Sequence, residues 1–224
     1  MSKLKLSLLF FIGGFFILIG FSQRHALACE FIEYSNYSEI APNIFVSGSF
    51  DLNQKENLLS NITLGKSRVN TTFGQMISNP KVVITTSDSE ASDFDSNKYG
   101  KALLTPLGKC IVLGSEGQNI DVIAHEYTHA EVHYRVGWLN HLLNVPIWFN
   151  EGVALLVDFR KPYLLENIGL SPKDAEFVKN NEFDFSIGSY QASRVLVDKI
   201  DKASLYQNLE KLKQGQDINS VFAL

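Results

Sequence analysis

Apolar and polar positions alternate along the chain in a pattern that changes near residue 119. Short apolar runs between polar turns predict strands at 43–46, 81–86, 101–107 and 109–113. Apolar positions spaced three and four residues apart predict helices at 50–76, with a break near Gly65, and then at 119–136, 147–159, 172–180, 187–200 and 205–213. Strands that precede most of the helices indicate an α+β fold, with a small sheet, one backing helix and a helical C-terminal lobe.

The N-terminal segment has the order of an export signal. Lys3 and Lys5 precede an unbroken apolar run at residues 6–21, and the small-residue triplet Ala26-Leu27-Ala28 follows. The segment 1–28 is therefore expected to be a signal peptide cleaved after Ala28 or a retained membrane anchor, because the length of the run does not separate the two. A lipid anchor on Cys29 is the third alternative. Residues 29–224 then form an exported or membrane-anchored domain.

Composition and charge narrow the class of protein. The 224 residues are 45% hydrophobic and 20% charged, which is ordinary for one globular domain, expected to be a monomer. The net charge is −4 and the basic residues are scattered, so nucleic-acid binding is excluded as a function class. Association with a membrane through residues 6–21 stays open.

Two cysteines occur, Cys29 and Cys110. In an oxidising compartment a pair of this kind is commonly a disulfide, which would join the start of the domain to a strand. Two free thiols, or a lipidated Cys29, are the alternatives that two cysteines alone leave open.

The strongest chemical signal is His-Glu-Tyr-Thr-His at residues 125–129. On a helix, His125 and His129 lie one turn apart on the same face, where both can bind one zinc ion. Glu126 points to the side of this pair, where its carboxylate can take a proton from a metal-bound water. The spacing therefore predicts two metal ligands and a general base.

A third ligand is expected downstream. A catalytic zinc site uses three protein ligands and keeps a position for water, and two histidines with one glutamate are a recurring set. Residues 146–154 read PIWFNEGVA, and Glu151 lies far enough after His129 for the chain to turn and bring a second helix back past the first. Glu151 is the predicted third ligand.

These two motifs, HEYTH and WFNEGVA, resemble the gluzincin branch of the zinc metallopeptidases, the peptidase MA-like group, over about residues 80–200. The resemblance implies a zincin-like fold in which His125, His129 and Glu151 bind zinc and Glu126 is the catalytic base. A competing branch of zincins has Gly and His where this chain has Val132 and Arg135.

In the same family, a tyrosine or histidine donor shares the charge of the tetrahedral intermediate. Tyr190, at the start of a C-terminal helix, is the candidate, and Tyr134 on the ligand helix is its rival. The resemblance also implies that the strand at residues 110–113 pairs with the substrate as an edge strand, unless it is an interior strand. Asn150, Asp158 and Asp121 are candidates for supporting the metal-bound histidines.

Two more histidines are left without a metal role. His133 continues the row on the ligand helix and is expected to be structural or at the surface, and His141 is expected to be an exposed loop residue, with a contact in the cleft as the alternative. The sequence as a whole predicts hydrolysis of peptide or protein substrates by a zinc-activated water. The alternative is a catalytically silent binding module of the same fold at the cell surface.

Overall fold

The structure is a computed structural model that describes residues 24–48, 50–104, 108–180 and 183–223. The apolar run at 6–21 and the end of the strand predicted at 101–107 lie outside the described residues. A five-stranded sheet and many helices make up the described part, which confirms the α+β class.

The sheet is mixed and has the strand order β1-β2-β3-β5-β4. Its strands are β1 (Ser38–Ala41), β2 (Ile44–Val46), β3 (Lys81–Ile84), β4 (Gly100–Leu104) and β5 (Lys109–Leu113). β2, β3 and β5 run parallel, whereas β1 and β4 pair antiparallel with β2 and β5. Four of these strands were predicted. β1 was not, because its Ser-Glu-Ile-Ala sequence carries little strand signal.

Two long helices cover one face of the sheet. α2 spans Leu52–Phe73 and α4 spans Ile120–Val136. Strand residues alternate between the two faces, and Val82 and Ile84 of β3 point into the core beneath these helices. The predicted packing of the helix at 119–136 against a small sheet is therefore confirmed.

The opposite face carries a second, smaller core that the sequence did not predict. It is built on the sheet by α1 (Arg24–Glu30), a 3-10 turn at Ile32–Tyr34 and Phe94, which follows the short helix α3 (Asp88–Ser92). A disulfide between Cys29 and Cys110 joins α1 to β5 within this core. The pairing decides among the alternatives that the sequence left open, since a sulfur in a disulfide is not available for lipidation.

α2 is one continuous helix, and the predicted break near Gly65 is wrong. Its N-terminus is fixed by a capping box in which Asp51 and Gln54 each bond the other's main chain. Gly65 instead marks a close helix contact, because a Cβ at this position would lie 2.6 Å from Cγ2 of Ile123 on α4. The glycine lets two helices approach and does not interrupt either of them.

α4 begins and ends where the sequence predicts. The Asn119 side chain accepts the main-chain N–H of Val122, and Gly137 follows the helix with a φ of 83°, which favours glycine. Glu131, fully buried on the back of this helix, accepts the main-chain N–H groups of Ile77 and Ser78. This carboxylate holds the segment that leads into β3 against α4.

The connection after α4 contains a helix that the sequence analysis treated as a connecting segment, α5 (Trp138–Asn144). α6 follows at Ile147–Ala154, shorter than the predicted 147–159. Residues 155–157 leave the helix but stay buried, because their apolar side chains continue into the core. The early end of α6 changes the direction of the chain before Asp158.

The C-terminal lobe is helical, as predicted, but more divided. Its helices are α7 (Pro172–Ala175), α8 (Phe177–Asn180), α9 (Ile187–Leu196), α10 (Leu205–Lys213) and α11 (Ile218–Phe222), with 3-10 turns at Lys161–Tyr163, Leu165–Asn167 and Lys202–Ser204. The predicted helix at 172–180 is two short helices, and the helix predicted at 187–200 ends at Leu196. Within the described ranges, none of the helices combines the length and the hydropathy that crossing a bilayer requires.

Candidate metal centre and its cleft

His125 and His129 lie one turn apart on α4, and both rings point into the interior. The rings are each 6% exposed, their centroids are 4.7 Å apart, and the two Nε2 atoms are separated by 3.0 Å. The helix spacing thus turns one nitrogen of each ring toward the same point, as the sequence predicts.

Glu151 completes a triangle of ligand atoms. Its Oε2 lies 3.3 Å from Nε2 of His125 and 3.4 Å from Nε2 of His129. Ligand atoms held about 2.0–2.1 Å from one tetrahedral ion are about 3.3–3.4 Å from each other. The side chains of His125, His129 and Glu151 therefore fit a single metal ion of this size.

Close packing between two helices places Glu151. The next residue, Gly152, faces α9 so closely that a Cβ would lie 2.6 Å from the main-chain oxygen of Ser193 and 2.8 Å from Cγ1 of Val197. A glycine at this point allows α6 to lie against α9 on one side while Glu151 reaches α4 on the other. The glycine that follows Glu151 is therefore explained by helix packing.

Of the three candidate supporting groups, Asp158 is the one beside a ligand. Its carboxylate is buried, lies 3.4 Å from Nδ1 of His125 and is bound by the guanidinium of Arg160. Asp121 instead pairs with Arg68, which also donates to the main-chain oxygen of Val157. Asn150 lines the cleft next to Glu151.

The charges of these groups depend strongly on one another. Burial alone would lower the pKa of His125, but the carboxylates of Asp158 and Glu151 outweigh it and raise the pKa to about 10. Burial also favours the neutral form of Glu151, yet the two histidines hold its pKa well below the usual range. Asp158 behaves in the same way beside His125 and Arg160. The site thus keeps anionic carboxylates in the interior, which suits a cation.

Glu126 lies next to the ligand triangle and does not belong to it. Burial raises the pKa of its carboxyl group, and the two histidines oppose that rise. The main-chain N–H of Ala102 on β4 donates a hydrogen bond to the carboxylate. A base in this position is oriented by the sheet and faces the cleft.

The cleft consists of two adjoining cavities of about 430 and 600 Å³ that share His125, Glu126 and Tyr190. The first has a wall of mixed polar and apolar groups, and its polar side chains include Asp95, Ser96, Asn97, Lys101 and Asn150. The second has an aromatic and apolar wall with contributions from Tyr99, Pro162, Tyr163, Phe185 and Ile187. The candidate metal centre therefore lies where the two cavities meet, and the second cavity is the more apolar of the two.

The structure separates the two tyrosine candidates. Tyr190 on α9 lines both cavities; burial first, and then the nearby negative charges of Glu151 and Glu126, raise the pKa of its hydroxyl, which remains a donor. Tyr134 is 42% exposed, and its ring packs under the ammonium group of Lys109, which lies 4.1 Å from the ring centroid. Of the two tyrosines, only Tyr190 lies with the predicted metal ligands.

The edge strand beside the cleft is β4. β5, which contains residues 110–113, lies between β3 and β4, so the expectation that it is the edge strand is wrong and the interior alternative is confirmed. The parallel pairing of β5 with β3 buries it, and its apolar content could not distinguish the two positions. Gly100, Lys101, Ala102 and Leu104 of β4 line the first cavity.

His133 and His141 pack against each other. His133 is 2% exposed, in agreement with a structural position, and its ring centroid lies 5.1 Å from that of His141. His141 was expected to be an exposed loop residue, and this is wrong: it lies on α5 and is half-buried. Neither residue lines the two cavities.

Several groups around the cleft were not predicted from the sequence. Arg160 lies 5.1 Å from the ring centroid of Tyr163 and 5.8 Å from that of Tyr99, while it binds Asp158. The available signal for Arg160 was its spacing from an acid: Asp158 lies two residues before it, shortly after the helix that carries Glu151. No comparable signal pointed to Tyr99 or Tyr163.

No family model matches this chain, and neither a curated protein nor a solved structure does so.

Proposed function

We propose that the protein is an exported zinc metallopeptidase with a zincin-like fold. The observation that carries the proposal is the triangle of His125, His129 and Glu151, whose ligand atoms lie 3.0–3.4 Å apart, close to the spacing of a tetrahedral site, with the carboxylate of Glu126 beside it. Three ligands leave a position for water, which is typical of a catalytic site rather than a structural one.

The donor set favours zinc over the hard cations. Two imidazole nitrogens and one carboxylate oxygen suit Zn²⁺, whereas Ca²⁺ and Mg²⁺ prefer oxygen ligands in larger number. Asp158 supports this reading, because a carboxylate at Nδ1 of a ligand histidine fixes the ring and leaves Nε2 free to bind.

A bound zinc ion supplies Lewis-acid polarisation of water and of the scissile carbonyl. In the reaction that we propose, Glu126 accepts a proton from the attacking water and delivers it to the nitrogen of the leaving amine. The Ala102 N–H holds the Glu126 carboxylate in its orientation. The hydroxyl of Tyr190, in the C-terminal lobe, donates a hydrogen bond to the oxyanion.

The shape of the site supports a peptide or protein substrate. The cleft lies where two cavities meet at the candidate metal site, and it is bordered by β4, the end strand of the described sheet, beside which an extended chain can lie. The disulfide between Cys29 and Cys110 supports export, because such bonds persist mainly in oxidising compartments.

Metal analysis of the purified protein tests the ligand set. We expect one tightly bound zinc per chain, lost in His129→Ala and in Glu151→Ala, and retained in Glu116→Ala, which removes an exposed carboxylate outside the cleft. Zinc retention in both ligand variants at the affinity of the parent would show that the assignment is wrong.

A peptide-library digest tests the reaction. Cleavage should occur with the zinc-loaded parent and stop when a chelator removes the metal. If the zinc-loaded protein binds peptides but cleaves none of them, the protein is a binding module and the proposed hydrolysis is rejected.

A further inference from the structure

A second pair of histidine rings lies behind the metal centre. His133, one turn beyond His129 on α4, faces His141 on α5, with 5.1 Å between the ring centroids and 72° between the ring planes. The corresponding values for His125 and His129 are 4.7 Å and 81°. Two imidazoles bound through nitrogen to one tetrahedral ion have centroids about 5 Å apart. The ring centroids of the second pair are therefore about as far apart as those of the first, at the separation that a shared ion allows.

Polar atoms in this pair lack partners. Both ring nitrogens of His133 and Nε2 of His141 are buried and make no hydrogen bond to any described residue. The same holds for Oδ1 of Asn150, whose side chain lies near His141 but not in good hydrogen-bond geometry. A buried polar atom without a partner costs about 1–3 kcal/mol. Four such atoms together indicate that the structure accommodates a further ligand at this point.

The electronic state of the two rings suits a metal ion. Burial is the main reason why the pKa of His133 falls to about 3 and that of His141 to about 4. Both rings are therefore neutral at pH 7, and each has a lone pair that can bind a metal. Imidazole nitrogens suit Cu²⁺, Ni²⁺ and Zn²⁺, whereas Mg²⁺ and Ca²⁺ prefer oxygen ligands in larger number.

We propose that His133, His141 and Asn150 form a second metal site that binds Zn²⁺ or Cu²⁺ through two imidazole nitrogens and one amide oxygen. The three residues come from the consecutive helices α4, α5 and α6. An ion bound here joins the helix of His125 and His129 to the helix of Glu151. The site does not depend on the proposed hydrolysis and goes beyond it.

Zinc stoichiometry tests the proposal. The full chain, purified in mild detergent and stripped of metal, is dialysed against increasing free Zn²⁺ and analysed for bound metal. We expect two equivalents in the parent, the second weaker than the first. His141→Gln and His133→Gln/His141→Gln should weaken the second equivalent at least tenfold. Because His141 is only half-buried, the single variant is expected to fold, and near-ultraviolet circular dichroism checks this.

A spectroscopic variant separates the two sites. In His125→Ala/His129→Ala, bound Cu²⁺ should show an electron paramagnetic resonance spectrum with hyperfine splitting from two imidazole nitrogens, and the signal should disappear when His133 and His141 are also replaced. His25→Gln is the matched control, because His25 is on α1 and bonds the main chain of Asp93; it should change neither result.

The outcomes distinguish this proposal from the metallopeptidase proposal. Loss of only the first equivalent in His129→Ala leaves the second site intact, whatever the activity of the protein. A single equivalent in the parent, or a second equivalent that the His133 and His141 variants bind as tightly as the parent does, overturns the proposal. In that case, ordered water satisfies the unpartnered atoms.

Discussion

At the scale of the residue, the replacement of Glu126 has the most specific expected effect, which is on turnover alone. Glu126→Gln preserves the size of the side chain and its contact with Ala102 but removes the ability to accept a proton. We expect turnover to fall by a factor of about 10² or more, with zinc content and melting temperature close to those of the parent. Turnover, metal content and thermal unfolding of one preparation measure all three.

Glu116→Gln serves as the matched control. Glu116 is an exposed carboxylate that pairs with Lys98, outside the two cavities, and its replacement should leave turnover unchanged. Undiminished cleavage by Glu126→Gln would remove Glu126 from the role of base.

Tyr190 is the second test at this scale. If its hydroxyl donates to the oxyanion, Tyr190→Phe should lower turnover by roughly ten- to a thousandfold without loss of zinc. Tyr163→Phe removes a hydroxyl from the wall of the same cleft, and Tyr134→Phe removes one outside it. Both should keep turnover within a few-fold of the parent. Normal turnover in Tyr190→Phe together with lower turnover in Tyr134→Phe would identify Tyr134 as the oxyanion donor.

The residues that bind a metal could be predicted because their chemistry depends on spacing along one helix and on one later motif. His125, His129 and Glu151 lie together in the structure as expected. Tyr163 could not be predicted, because it reaches the cleft only after α6 ends at Ala154 and the chain changes direction. That end depends on tertiary packing of apolar residues and not on a local helix signal.

At the scale of the element, the contact between α6 and α9 determines where Glu151 lies. Gly152→Ala would place a Cβ within 2.6 Å of the main-chain oxygen of Ser193, which cannot move without its helix. We expect the free energy of unfolding to fall by about 1–3 kcal/mol, because overpacking shifts the helix. The same shift should weaken zinc binding, since Glu151 is the neighbouring residue. Urea denaturation and zinc titration measure the two effects.

Gly188→Ala is the control for this prediction. Gly188 lies in α9, and a Cβ there would meet only Oγ of Ser186 at 3.6 Å, an ordinary contact. Alanine should therefore leave stability unchanged or raise it slightly. Equal losses of stability in the two variants would mean that the close approach at Gly152 has no special effect.

Element boundaries were predicted best where capping residues mark them. Asn119 and Gly137 fix both ends of α4, and the predicted helix agrees with the observed one. Gly65 was interpreted as a break because glycine is a poor helix former, whereas its small size serves the contact with Ile123. A single sequence does not distinguish a glycine that interrupts a helix from one that admits a neighbour.

At the scale of the whole molecule, the disulfide joins α1 to β5 across a sequence separation of 81 residues. Closing a loop of this length is expected to stabilise the protein by about 4 kcal/mol relative to the reduced chain. Cys29→Ser/Cys110→Ser should therefore unfold at lower urea concentration than the oxidised parent. Zinc content should stay at the parent value, because Cys110 faces away from α4. Equal stability of the variant and the oxidised parent would contradict the prediction.

The order of the strands could not be predicted from the sequence. β4 precedes β5 in the chain and lies outside it in the sheet, so the strand nearest the metal helix in sequence is not the one at the edge. The smaller core formed by α1 and α3 also depends on contacts between distant segments. Both features follow from long-range packing, about which local patterns carry no information.

The residues of the proposed metal centre lie close together along the chain, whereas the parallel strands of the sheet lie far apart. His125, Glu126, His129, Glu151 and Asp158 all belong to residues 125–158, whereas β2, β3 and β5 pair across intervening segments that include a long helix. Contacts between residues close in sequence lose less loop-closure entropy and form sooner during folding. The ligand helices can therefore come together while the sheet is still unformed. An ion captured at that stage would change how fast the protein refolds as well as how stable it finally is.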